Sequence, residues 1–244
     1  MAHDTYTQDG KLLYSTDFVA LNNSGVEGRA VLLVDQNSQT VTVDIQAKGL
    51  EPDQMHIQHI HGFMDDTDAK TPTIAQDDDG DGFVELVEGL ETYGPIQLNL
   101  TMNPENAVHD HGTEGHDHTD EAVFPTVGAD GMLNYRQVFQ FSADDPNAQA
   151  IFDGITPLEF KEIVLHGLST TSEQGEGTDG EVNGEAGYKL VLPVASGELM
   201  GVAEAADVLE AVGELGLNPN DVVDWNAIAA EATANFEATG QWYL

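Results

Sequence analysis

The sequence predicts an all-β domain, a sandwich or barrel of about eight strands with long loops, followed by a short helical appendage. Three observations lead there. Apolar and polar residues alternate with period two through most of the first 200 residues. The segments so marked are joined by turn-rich connections with no helical period between them. After Gly197 the spacing of apolar residues changes to that of helices.

The clearest strand is Thr40 to Ala47, where Val41, Val43, Ile45 and Ala47 share one face and Thr40, Thr42, Asp44 and Gln46 the other. Arg29 to Val34 precedes it, and Asp35-Gln36-Asn37-Ser38 is a polar turn, so the two form a hairpin. Further strands are expected over Leu12 to Ala20, Met55 to His61, Pro95 to Thr101, Leu133 to Ser142, Glu162 to Leu168 and Gly187 to Val194. Gly62 to Gly94, Met102 to Gly131 and Ser169 to Ala186 are too long for simple turns, and loops of that length usually carry function. In the appendage, residues 201–244, Val208, Leu209, Val212 and Leu215 mark one helix. Trp225, Ile228, Ala229, Ala232 and Phe236 mark a second, with Asn218-Pro219 between them, Asp224 as N-cap and Gly240 as stop. The apolar face so formed either docks on the sandwich or mediates self-association.

Composition narrows the function classes. The 244 residues carry 44 Asp plus Glu against 7 Lys plus Arg, a formal charge of -37, with 40% hydrophobic residues. That charge repels nucleic-acid backbones and anionic lipid surfaces, which leaves cations as the natural partners. No stretch approaches the roughly 20 apolar residues of a membrane span. Met1 to Gly10 lacks the apolar run of a secretory signal, so any export signal is expected to have been removed or never present. The absence of cysteine excludes thiol catalysis, disulfides and cysteine-based metal sites, leaving His and carboxylate as ligands. An acidic excess of this size suits a surface hydrated in high salt, pointing to a halophilic or marine source.

Three motifs carry chemistry. Asp77 to Glu88 places carboxylates at loop positions 1, 3 and 5 (Asp77, Asp79, Asp81), glycine at 6 and a backbone carbonyl ligand at 7 (Phe83). Glu85 stands at 9 and Glu88 at 12, which completes an EF-hand-type calcium loop. Second, His59 and His61 lie two apart on a strand, so both imidazoles face one way, while His56 points elsewhere unless the strand bends. His166, after three apolar strand residues, is either a satisfied core group or a ligand. Third, His109, His111, His116 and His118, interleaved with acids, form a chelating tract suited to zinc, copper or nickel.

The order of these pieces resembles the Cu/Zn superoxide dismutase-like sandwich and its bacterial relatives, including CHRD-domain proteins. The matching residues are Gly25 to Ala30, Gly49-Leu50, Met55 to Gly62, Val164 to Gly167, Gly184 to Gly187 and Ala195 to Gly197, together covering roughly residues 12 to 200. The calcium-type insertion followed by Tyr93-Gly94-Pro95 is similar to the bacterial branch. The resemblance implies a Greek-key sandwich over residues 1–200, copper on His59, His61 and His166, and a structural role for His56. It departs from the family in having no histidine between His61 and His109 to bridge copper and zinc, and a zinc site would have to draw on the tract 109–118. Ser196 stands at the place of a disulfide cysteine, and the family's arginine corresponds to Lys189 or Pro193. Three functions follow as expectations. The first is an exported, extracellular or periplasmic copper protein acting on superoxide and stabilised by calcium. The second is a non-enzymatic matrix, surface-layer or filament module with structural calcium. The third is copper or zinc storage and delivery.

Overall fold

The computed structural model describes residues 7–8, 11–65, 67–108 and 123–201. The tract with His109, His111, His116 and His118, and the appendage beyond Gly201, lie outside the described residues.

Two antiparallel sheets face each other as a sandwich, without closing into a barrel. The six-stranded sheet contains β1 (Thr7–Gln8), β2 (Lys11–Asp17), β4 (Glu27–Asp35), β5 (Thr40–Lys48) and β8 (Leu133–Gln140) in that order, with β11 (Met200–Gly201) also paired to β2. The five-stranded sheet runs β3 (Val19–Ala20), β10 (Gly187–Glu198), β9 (Lys161–Thr170), β6 (Gln58–Gly62), β7 (Ile96–Asn99). All eight expected strands are present. Leu12 to Ala20 divides at Phe18, because the chain there leaves one sheet for the other. The strand expected to begin at Met55 becomes continuous only at Gln58, since Met55 pairs outside the sheet with Thr126.

Alternation sets the core. Leu32, Val34, Val41, Val43 and Ile45 of one sheet meet Ile60, Leu98, Ile163 and Leu165 of the other, all fully buried. Burial of apolar area at about 25 cal/mol per Å² is the main favourable term for such a layer.

Helices interrupt the connections where none were expected. α1 (Leu86–Tyr93) begins inside the acidic loop, α2 (Pro104–Ala107) is a single turn, and α3 (Pro146–Ile155) links β8 to β9. α3 opens on Asp145, whose carboxylate accepts from the amides of Asn147 and Ala148, with proline in the first turn. Ala148, Ile151, Phe152 and Ile155 form its buried stripe. No helix among the described residues is long and apolar enough to cross a membrane.

Candidate metal centre

The site is assembled on two adjacent interior strands of the five-stranded sheet. β6 and β9 pair with His59 opposite Val164 and His61 opposite Glu162, while Ile60 between the histidines is packed into the core. His59 and His61 therefore lie on the outward face. His166, two residues beyond Val164 on β9, reaches that same face. The rings converge, with centroids 5.2 Å apart for His59 and His166, 5.4 Å for His59 and His61, and 6.1 Å for His61 and His166.

One nitrogen of each ring points at the others. His59 Nδ1, His61 Nε2 and His166 Nε2 are buried and have no hydrogen-bond partner, and one ligand nitrogen from each ring lies within 4.8 Å of the other two. The opposite nitrogen is fixed for two of them: His61 Nδ1 is 2.8 Å from the Gly94 carbonyl and His166 Nδ1 is 2.6 Å from the Val191 carbonyl. A carbonyl only accepts, so both Nδ1 atoms carry hydrogen and both Nε2 atoms present a lone pair to the centre. This is how ligating histidines are oriented by outer partners.

Local chain geometry delivers those carbonyls. Gly94 ends α1 at a φ of +77°, and a β-carbon there would sit 2.8 Å from the Gly62 carbonyl oxygen, so glycine alone lets this backbone close on the end of β6. Behind β9, His56 places Nδ1 2.8 Å from the His166 carbonyl and Nε2 3.0 Å from that of Glu51. A β-carbon on Gly167, whose φ is +112°, would collide with the Tyr188 hydroxyl and the His56 ring. The strand bend expected if His56 were to join the cluster does not occur, and His56 braces the strand that carries His166.

Burial decides the protonation of the three rings. His59, His61 and His166 are 4%, 0% and 0% exposed. Desolvation, reinforced by the neighbouring histidines, drives His59 well below 6.5 and His61 down to about 3, and desolvation takes His166 down to about 4. All three are neutral at pH 7 and able to ligate without first losing a proton. The walls are aromatic: Tyr93 lies 4.6 Å from His61 and Phe124 5.5 Å from His59, each edge to face.

One neighbour was absent from the sequence-based set. Glu162, opposite His61 and fully buried, accepts at Oε1 from Thr71 Oγ1 at 2.6 Å and from Ser196 Oγ, while its Oε2 has no partner. Burial pushes its carboxyl up to about 7. A lone acid opening the apolar run Glu162 to Leu165 was the signal for it. Ser196 thus serves as a hydrogen-bond donor where the resemblance places a cysteine. Of the two counterparts of the family's arginine, Pro193 lies opposite His166 and Lys189 opposite Leu168.

The acidic loop forms a second group. Asp77, Asp79 and Glu88 bring carboxylate oxygens within 4.8 Å of one another, so both groups can hold a metal ion. Asp77 accepts from the amides of Gly80, Asp81 and Gly82, and Glu88 from those of Asp78 and Glu85. Asp81 Oδ1 accepts from Phe83 N, and its Oδ2 is buried without a partner. Desolvation and the neighbouring carboxylates push Asp81 up to about 6. Glu85 is not part of the converging group. Its Oε1 accepts from Val182 N at 2.6 Å, tying α1 to the 169–186 loop, and burial raises it to about 7. Phe83 packs its ring with Val182 and Leu192. Val84 is held at both backbone atoms by Asn22, which also donates to the Pro193 carbonyl.

No protein-family model matches this chain, and no curated protein matches it.

Proposed function

We propose that this protein is an exported copper protein of the Cu/Zn superoxide dismutase-like sandwich type, with a single mononuclear centre on His59, His61 and His166 and a structural calcium in the 77–88 loop. The observation that carries the reading is the set of three buried, neutral imidazole nitrogens that face one another without a hydrogen-bond partner. Leaving such atoms unpaired costs about 1–3 kcal/mol each, a cost that a shared cation removes. Three nitrogens and no thiolate suit copper in either oxidation state. Copper held there supplies one-electron redox chemistry, and the resemblance points to superoxide as the small species involved.

The chain's own residues do the rest. Gly94 and Val191 carbonyls hold the tautomers, His56 and Gly167 fix the position of β9, and Tyr93 and Phe124 exclude water. Glu162, with its raised pKa and a spare oxygen beside β6, is a proton carrier available near the centre at neutral pH. The test is copper loading of the purified chain, with elemental analysis, EPR and a superoxide-removal assay. One copper per chain with nitrogen hyperfine structure, lost in both His59→Ala and His166→Ala, is expected. A spectrum unchanged by both substitutions overturns the assignment.

The near-complete burial of the three rings favours a second reading, a centre that holds metal without turning over substrate. In that case the protein is an extracellular module stiffened by its ions, and copper binding occurs without superoxide removal. Deletion of the tract 109–118 separates both readings from metal storage, which requires more than one transition-metal ion per chain and loses the excess on deletion.

A further inference from the structure

The outward face of the six-stranded sheet is unlike a water-facing sheet surface. Val31 points away from the core residues Ala30 and Leu32 on either side of it, yet is only 5% exposed. Leu13 and Leu33, directly opposite each other on β2 and β4, share that face and are half-buried. Arg29, on the same side of β4, has Nε and Nη1 buried without a hydrogen-bond partner.

Charge marks the face as well. Four of the seven cations of the chain, Lys11, Arg29, Lys48 and Arg136, occupy its outward positions. Each stands in register opposite a carboxylate, Asp35, Asp17, Glu27 and Asp44 respectively. In a molecule at -37 these eight groups sum to zero, so an acidic segment meets no net repulsion from them.

The described residues end beside this surface. β11 pairs Met200 with Ser15 and Gly201 with Tyr14, so the last described residue lies at the margin of β2. Residues 202–244 contain the two amphipathic patterns, carry no Lys or Arg, and have acids throughout, among them Glu204, Asp207, Glu210 and Glu214. Four strands spaced about 4.8 Å apart span about 14 Å, which about ten residues of helix cross. The second pattern, Trp225 to Phe236, is long enough to cross once.

We propose that residues 202–244 dock as a helical layer on the outward face of the six-stranded sheet, with their apolar stripes over Leu13, Val31 and Leu33 and a carboxylate at Arg29. The occupant is the chain's own segment and not a second copy. Tethering at β2 gives the segment a high effective concentration, whereas two copies at -37 each repel. The layer lies on the sheet opposite the histidines and leaves their face untouched.

Both tryptophans of the protein, Trp225 and Trp242, lie in this segment, so intrinsic tryptophan emission of the full chain reads it alone. The emission is expected to be blue-shifted and shielded from acrylamide at all protein concentrations. Val31→Asp and Arg29→Glu should move it to the red and remove the shielding while the far-UV β signal persists. Thr42→Asp, at an outward polar position opposite Leu33, makes the same test without touching the core, should Val31→Asp fail to fold. Solvent-exposed emission in the wild-type chain overturns the proposal, as does shielding that survives both Thr42→Asp and Arg29→Glu. Shielding that appears only with a concentration-dependent dimer in sedimentation also overturns it, in favour of a second copy.

Discussion

The histidine triad and the acidic loop differ in what satisfies their polar atoms. The three imidazole nitrogens sit on paired strands, are sealed from water, and have nothing to bond except an ion. In the loop, the carboxylates are partly exposed and most already accept amides of their own backbone. A centre of the first kind is preorganised by the sheet and gains little rigidity from its metal. A centre of the second kind holds like charges together, and a cation relieves that repulsion while fixing the segment. Under the proposed function, transition-metal chemistry is expected on the strands and ion-dependent stability in the insertion.

The largest effect expected from this contrast is on copper. His59→Ala or His166→Ala removes one of three ligands and should abolish stoichiometric binding, a loss beyond the roughly 10–100-fold that follows removal of an orienting partner. The melting temperature of the metal-free chain should not collapse, because each substitution also removes an unpaired buried nitrogen. Isothermal titration with copper and a thermal melt in chelator check both statements. Retained one-to-one binding would erase the distinction between the regions.

Next in size is calcium. Asp77→Ala or Glu88→Ala should lower the melting temperature by about 5–10 °C in calcium at a hundredfold excess over Kd, and change it little in chelator. Equal destabilisation in both conditions would mean that these carboxylates act only as caps for their own amides.

Protons act in opposite senses on the histidines and on the raised carboxylates. Folding depresses the three histidines, to about 3 for His61 and about 4 for His166, so the unfolded chain alone takes up protons below 6.5. Their contribution is present above pH 6.5 and is lost as the pH falls toward 4. Desolvation raises three carboxylates, Asp81 to about 6 and Glu85 and Glu162 to about 7. Their contribution is present below the ordinary carboxylate range and is lost as the pH rises through 6 to 7. In chelator, Glu162→Gln should therefore gain on the wild type between pH 5 and pH 8, seen as a melting-temperature difference that shifts in its favour. A difference independent of pH would show that Glu162 does not titrate there. Copper, for its part, should stay bound at pH 5, where histidines of ordinary pKa are mostly protonated.

Most of the sandwich was legible because strands buried on one face print a period of two on the sequence, as Thr40 to Lys48 does without interruption. α3 is legible too: Asp145 as cap, Pro146 in the first turn, and Ala148, Ile151, Phe152 and Ile155 at helical spacing are all in the sequence. The triad was half legible. Spacing places His59 and His61 on one face, but the approach of His166 depends on the pairing of β6 with β9, strands about a hundred residues apart in the sequence. Which nitrogen each ring offers depends on the carbonyls of Gly94 and Val191, and no local pattern encodes that. Glu85 shows the reverse difficulty. Its position in the loop reads as a ligand, while its Oε1 accepts from the amide of Val182, delivered by another loop.

Asn22 joins the two regions and gives the smallest and most discriminating prediction. Its side chain accepts from Val84 N at 2.7 Å and donates to Val84 O and Pro193 O, both at 2.9 Å. Val84 lies in the acidic loop, and Pro193 lies opposite His166. Asn22→Ala should cost about 1–2 kcal/mol, because part of the freed backbone regains water and part stays buried. That corresponds to a fall of about 2–8 °C in melting temperature, alike in calcium and in chelator. If the sheet alone preorganises the triad, copper stoichiometry and the EPR spectrum will be unchanged in this variant. If the spectrum changes, and changes more in chelator than in calcium, the loop helps to position His166 and the two centres are coupled through this one side chain.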